Sequence, residues 1–203
     1  AGPSEVLVVA DYGARPAFVA ADLLAQAEHS PDAQVLLVTT SRVIAEECVV
    51  EVERQLAALP RRSIATQAIA SSRAIVVPDL TTALEVSNRY APEHLILQVA
   101  NARALLPLVR NAGSVFLGAW TPETMGDYCS GTNHVLPTYG HARAYSGLGV
   151  PDFVKRITVQ ELTPAGLAGL GPTARTLAQL ESLDAHANAV QVRLDVIAGG
   201  ANA

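Results

Sequence analysis

Along the first 117 residues, short runs of continuously apolar residues alternate with longer stretches whose apolar residues recur every three or four positions. The short runs suit strands buried on both faces, and the longer stretches suit amphipathic helices. The pattern predicts strands at Glu5–Ala10, Gln34–Thr39, Ala74–Val77, His94–Val99 and Ser114–Leu117. It predicts a helix at Pro16–Ala27, where Phe18, Ala21, Leu24 and Ala25 share a face and Pro16 suits the first turn. Further helices are expected at Arg42–Leu59, ending before Pro60, at Thr81–Arg89, and at Ala102–Asn111, with Gly113 as the glycine that stops the last one. Such alternation implies an α/β fold: a Rossmann-like, mostly parallel sheet with helices on both faces.

From Gly118 to Gly149 the pattern lapses into a stretch rich in Gly, Pro, Thr, Asn and Tyr. Irregular segments of this length inside compact domains are usually functional or disordered. This one carries Trp120, Asp127, Tyr128, His134, Tyr139 and Tyr145, residues that favour function. Beyond Thr158 helical spacing returns. One helical region is expected over Pro164–Leu180, broken at Gly171-Pro172, and another over Ser182–Ile197. In the latter, Val190, Val192, Leu194 and Val196 alternate like a strand, whereas Ala187, Val190, Leu194 and Ile197 form a helical stripe, which length favours. The expected organisation is an α/β domain over 1–148, with a long loop at 118–149, and a small helical C-terminal tail over 149–203.

Composition narrows the function. Half of the 203 residues are hydrophobic and 4% aromatic, so a core of Val, Leu, Ile and Ala is available. The net charge of −5 and the lack of a basic stripe argue against nucleic acid as a partner. No apolar run reaches the roughly 18 residues of a membrane-crossing helix, so no membrane partner is expected. Cys48 and Cys129 lack metal or redox spacing and suit a reduced, cytoplasmic setting. The chain opens with Ala1-Gly2-Pro3-Ser4-Glu5, without an initiator Met or signal peptide, and enters a strand at once, which reads as a piece of a longer protein.

Several residues carry candidate chemistry, each with a plainer reading beside it. Gln26 and His29, three apart at a helix end, share a face; His29 suits a metal ligand or a dipole-stabilising cap. Glu93 and His94 offer two proton acceptors of different ordinary pKa, or a solvated turn before a strand. They stand at a strand's amino end, whereas open α/β sheets place ligands at carboxyl ends. Asp127, Asn133 and His134 are ligand or substrate contacts, or solvated loop polars. Glu181 and Asp184 near the last helix suit capping, His186 a surface position, and Ser4 a turn. No Gly-x-Gly-x-x-Gly follows any strand, so the chain shows no dinucleotide fingerprint of its own.

Taken together these stretches resemble the histidinol dehydrogenase family. The resemblance runs in order through Ala1–Glu5, Asp22-Leu-Leu-Ala-Gln-Ala-Glu-His29, Ala91-Pro-Glu-His-Leu-Ile96, Gly113-Ser-Val-Phe-Leu-Gly118, Gly126-Asp-Tyr, Ser130-Gly-Thr-Asn-His-Val-Leu-Pro137, Lys155-Arg-Ile-Thr-Val-Gln-Glu161 and His186-Ala-Asn-Ala-Val190. Any one motif is weak; their joint occurrence is specific. The resemblance implies a zinc- and NAD-dependent oxidation of L-histidinol to L-histidine through L-histidinal. It implies zinc ligands at Gln26, His29, Asp127 and His186, which with His94 also meet the substrate. Glu93 and His94 would be the acid/base pair, and Ser4, His134 and Glu181 further substrate contacts. It also implies a homodimer whose C-terminal tail crosses to the neighbour, so that Glu181 and His186 complete the partner's site. Most NAD contacts, and part of the first domain's sheet, would come from an N-terminal half absent here. Two alternatives stay open: a zinc-binding fragment without activity, or a related metal-dependent dehydrogenase for another amino alcohol or hydroxy substrate.

Overall fold

The computed structural model of the chain describes residues 3–200, so the first two residues of the Ala1–Glu5 motif lie outside them. Five strands form one sheet: β1 (Glu5–Ala10), β2 (Gln34–Thr39), β3 (Arg73–Val76), β4 (His94–Gln98) and β5 (Ser114–Leu117). Their order is β3-β2-β1-β4-β5, and every neighbouring pair is parallel. The α/β expectation holds, and the strand positions hold to within a residue.

The central strand shows why a continuous apolar run was needed. Val6, Val8 and Ala10 of β1 join a core with α1 (Pro16–Ala27), α2 (Arg42–Leu56) and α3 (Arg62–Ala70). Leu7 and Val9 join a second core on the opposite face, with α4 (Leu80–Tyr90) and α5 (Ala102–Leu105). Alternate residues point to opposite faces, so a strand covered on both sides has no polar position to spare. Ser41 and Asp79 cap α2 and α4 by accepting from the backbone N–H groups of Ile44 and Thr82.

Three expectations need correction. The helix expected over Arg42–Leu59 ends at Leu56, and a separate α3 follows Pro60, burying Ala65 and Ala68. The helix expected over Ala102–Asn111 keeps only α5 and one 3-10 turn, Leu106–Leu108. Pro107 has no N–H to continue it, and the Asn88 side chain takes up the nearby backbone, donating to Leu108 O and accepting from Arg110 N–H and Asn111 N–H. Gly113 therefore stops no helix. Its value is smallness: a Cβ there would lie 2.6 Å from the carbonyl oxygen of Glu93.

The third correction is in the tail. The chain divides into two compact units, one up to Phe153 and one from Val154. In the second unit α7 (Pro164–Leu180) runs unbroken through Gly171-Pro172, and α8 (Asp184–Gly200) packs on it. A Cβ on Gly171 would meet Val190 and Leu194 at 3.1–3.2 Å. The bare backbone lets the two helices approach, and this packing outweighs the lost hydrogen bond at Pro172. Among the described residues no helix is long and apolar enough to cross a membrane.

Gly113→Ala should lower stability by about 1–3 kcal/mol, the usual cost of forcing a group into a packed site, because its contact is backbone that cannot swing aside. Urea unfolding measures this; a change within about 0.5 kcal/mol, as at an ordinary surface position, would contradict the close approach.

Candidate active site

The amino edge of the sheet gathers the chemistry. The β1–β4 ladder opens with Val6 opposite His94, so Glu5 and Glu93 stand side by side where the ladder starts. Glu93 and His94 are 6% and 3% exposed, which rules out the solvated-turn reading. α4 delivers them through Ala91, a left-handed residue (φ 59°) that ends the helix ahead of Pro92. A non-glycine in that conformation costs roughly 1–2 kcal/mol, held here by complete burial.

His94 is the centre. Its Nδ1 lies 3.0 Å from the backbone carbonyl oxygen of Glu5. A carbonyl only accepts, so Nδ1 carries the proton and Nε2 presents its lone pair. Nε2 is buried, has no hydrogen-bond partner among the described residues, and lies 3.7 Å from Asp127 Oδ1. Glu93 Oε2 and Glu123 Oε2 lie 3.5 and 3.7 Å from Nδ1.

The long segment expected as a loop contains a short helix, α6 (Glu123–Tyr128). Glu123 and Asp127 are four residues apart on it and so share a face, the one turned to His94. Gly126 makes this approach possible, since a Cβ would lie 2.5 Å from the Phe116 ring on β5. Glu123 and Glu5 were both missed in the sequence. The signal for Glu123 was present: Pro122 followed by a first-turn acid, then a second acid four residues on. Glu5 carried no local signal.

α1 returns from the carboxyl edge and buries Gln26 at the site, 0% exposed. With its nitrogen turned to the carboxyl, the Gln26 amide donates to Glu123 Oε1 and Oε2 at 2.8 and 2.9 Å. His29 follows α1, exposed, its N–H on Gln26 O, and its charge acts on His94. Ser4 is half-buried beside Glu5, and its carbonyl accepts from Gln34 N–H. His134 is exposed on the segment after α6. Glu181 and His186 belong to the second unit and are exposed there; Glu181 ends α7 rather than opening α8, whose first-turn acid is Asp184.

Burial dominates the electrostatics. It pushes the Glu123 carboxyl up to about 9, with repulsion from Asp127, Glu93 and Asp22 adding to it. It pushes Glu93 up to about 7, opposed by the hydrogen bond from Glu5 N–H. It raises Glu5 as well, and it lowers His94, favouring the neutral imidazole. A neutral imidazole beside a carboxyl near neutrality is suited to proton transfer. His94, Glu123 and Asp127 also offer ligand atoms within 4.8 Å of one another, a group able to hold a cation.

At the opposite edge the turns leaving β1 and β4 are tied together. Asp11, just after β1, accepts from Gly13 N–H at 2.9 Å and from Ala100 N–H at 2.8 Å. These amides belong to the two turns that leave β1 and β4, the switch point where open parallel sheets bind ligands. The chain's own carboxylate takes them up.

Comparison with known proteins follows the same residues. The family model described as histidinol dehydrogenase matches residues 1–194. The chain is 60% identical over 197 residues to the histidinol dehydrogenase of Yersinia pestis, covering 97% of this chain and 44% of that protein. It is 60% identical over 198 residues to that of Aliivibrio fischeri, covering 98% and 45%. A crystal structure of histidinol dehydrogenase from Elizabethkingia anophelis superposes with a TM-score of 0.95 at 51% identity, over 97% of this chain and 46% of that one. The chain thus spans less than half the length of these relatives.

The Glu123 shift makes stability depend on pH. Its folded pKa is raised from 4.5 to about 9, so between these values the folded state holds a proton that the unfolded state has released. Stability from this group is complete below the unfolded value and is lost as pH rises, by at most about 1.4 kcal/mol per pH unit. Glu123→Gln, measured by urea unfolding with a chelator present, should gain on the wild type between pH 5 and pH 8. A difference that stays constant across that range would contradict a neutral Glu123.

Proposed function

The chain belongs to the histidinol dehydrogenase family, and from this premise we propose that the protein it forms part of oxidises L-histidinol to L-histidine through L-histidinal, as a step of histidine biosynthesis in the cytoplasm. The observation that carries the reading is the buried imidazole of His94, with Nδ1 on a carbonyl and Nε2 unpartnered. Nε2 takes the proton of the substrate alcohol as the carbinol carbon is oxidised to the aldehyde. Glu93, pushed up to about 7, then removes a proton from the water that adds to that aldehyde. The hydrate is oxidised in turn to the carboxylate. Enclosing both steps keeps a reactive aldehyde from side reactions.

The donor set fits a zinc ion: Asp127 offers a carboxylate oxygen, buried Gln26 an amide oxygen and nearby His29 an imidazole. We assign its ligands to Gln26, His29, Asp127 and His186, the last on the C-terminal unit. When bound there, zinc orients the substrate's imidazole and amino nitrogens. NAD is the hydride acceptor, and its contacts are assigned to the part of the protein outside this chain. Ser4, His134 and Glu181 are assigned to substrate binding. The protein is proposed to be a homodimer in which Glu181 and His186 complete the partner's site.

The cluster of His94, Glu123 and Asp127 supports a second arrangement, with His94 itself a ligand. A ligated Nε2 has no lone pair left for a proton, so the two arrangements exclude each other. In the full-length protein, His29→Ala should lose most bound zinc and His94→Asn should retain it, counted by elemental analysis after dialysis. The reverse result would assign the ion to the cluster.

The division of roles is tested with two substrates and full-length protein. His94→Asn should slow histidinol oxidation by about 10²–10⁴-fold, the usual contribution of general acid/base groups. Glu93→Gln should stay equally impaired when histidinal is supplied directly, because hydration still needs its base. Mild, equal effects of both substitutions on both substrates would remove the assignment.

A further inference from the structure

Glu5 is the least expected residue of the site. It is 3% exposed, and a buried carboxyl is costly unless its partners satisfy it. Among the described residues its hydrogen-bond partners are backbone groups rather than cations. Glu5 N–H donates to Glu93 Oε2 at 2.9 Å, and Glu93 N–H donates to Glu5 Oε2 at 3.4 Å. The two strands thus exchange carboxylates where their ladder begins. The remaining oxygen, Oε1, accepts from Tyr139 N–H at 2.8 Å, 134 residues along the chain. Tyr139 and Gly140 are both left-handed (φ 54° and 72°), so a sharp turn of the long segment is tied at this point. The backbone carbonyl of Glu5 holds His94 Nδ1.

A single residue therefore contacts both members of the acid/base pair and the segment that carries Asp127 and His134. A neutral residue would fill the same space at the head of β1 without burying a carboxyl, so sheet stability alone gives no reason for Glu here. Alignment of reacting groups does, since an ångström of misplacement costs about 10²-fold in rate.

We propose that Glu5 is a positioning residue for the oxidation: its side chain ties the turn at Tyr139 to the head of β4 and so sets Glu93 and the loop-borne groups in register. The inference rests on the dehydrogenase reading above. Glu5→Gln keeps the length of the side chain but has one acceptor oxygen for two N–H donors. Glu5→Asp keeps the charge but is one methylene too short to reach both.

The test uses full-length enzyme, with kcat and KM for histidinol and histidinal expressed per bound zinc, and hydrogen exchange of the peptide containing Tyr139. Glu5→Gln should lower kcat about 10–100-fold on both substrates, leave KM within about threefold, and speed exchange at Tyr139. Faster exchange with wild-type kcat would make Glu5 a structural tie only and overturn the proposal; so would unchanged exchange. If Glu5→Gln does not accumulate as folded protein, Glu5→Asp is read by the same criteria. A wild type without histidinol turnover would overturn the dehydrogenase reading itself, and an active wild type separates the two failures.

Discussion

The pairing of β1 with β4 is the constraint on which the rest depends. Its register sets Val6 against His94, and this places Glu5 and Glu93 together at the amino edge. It also sends His94, Ile96 and Gln98 to the face covered by α1, while Leu95 and Leu97 go to the other core. A slip of one residue would turn His94 away from Gln26 and Asp127 and bury it against α4. The apolar alternatives on both faces make that slip costly, so the core that stabilises the sheet also aims the imidazole.

The site is rich in carboxyls. Glu5, Glu93, Glu123 and Asp127 surround one imidazole, and Asp22 adds its charge nearby. Among the described residues the ion pair involving an arginine is Glu51–Arg54, exposed on α2 and away from this cluster. Backbone N–H groups, the Gln26 amide and retained protons therefore do the neutralising. This accounts for the upward shifts of Glu93 and Glu123 and for a donor set suited to a cation, which would itself stabilise the ionised carboxyls.

The Rossmann-like sheet gathers its candidate site at the less common edge. Where many α/β proteins bind ligands, Asp11 ties the two departing turns to each other. The amino edge is reached instead by the end of α1 and by α6, both of which run back from the carboxyl side. Gly126 and Gly113 let α6 and the head of β5 come close enough to complete it.

The sequence by itself determined the fold class, all five strands and the longer helices, because strand burial on two faces and helical amphipathicity leave periodic traces within a few residues. It also singled out Gln26, Glu93, His94 and Asp127, through motifs that lie in order along the chain. It did not show α3 or α6, whose few residues carry too little periodicity, it drew α5 too long past Pro107, and it broke α7, where close packing at Gly171 outweighs a proline. Only the tertiary structure decided that Glu93 and His94 are buried, which tautomer His94 adopts, and that Glu5 and Glu123 belong to the site. Each of these depends on contacts between residues 88 to 134 positions apart, or on a turn of helix packed on a distant strand. A local pattern holds no record of such contacts, because burial and hydrogen bonding are properties of what the fold brings alongside.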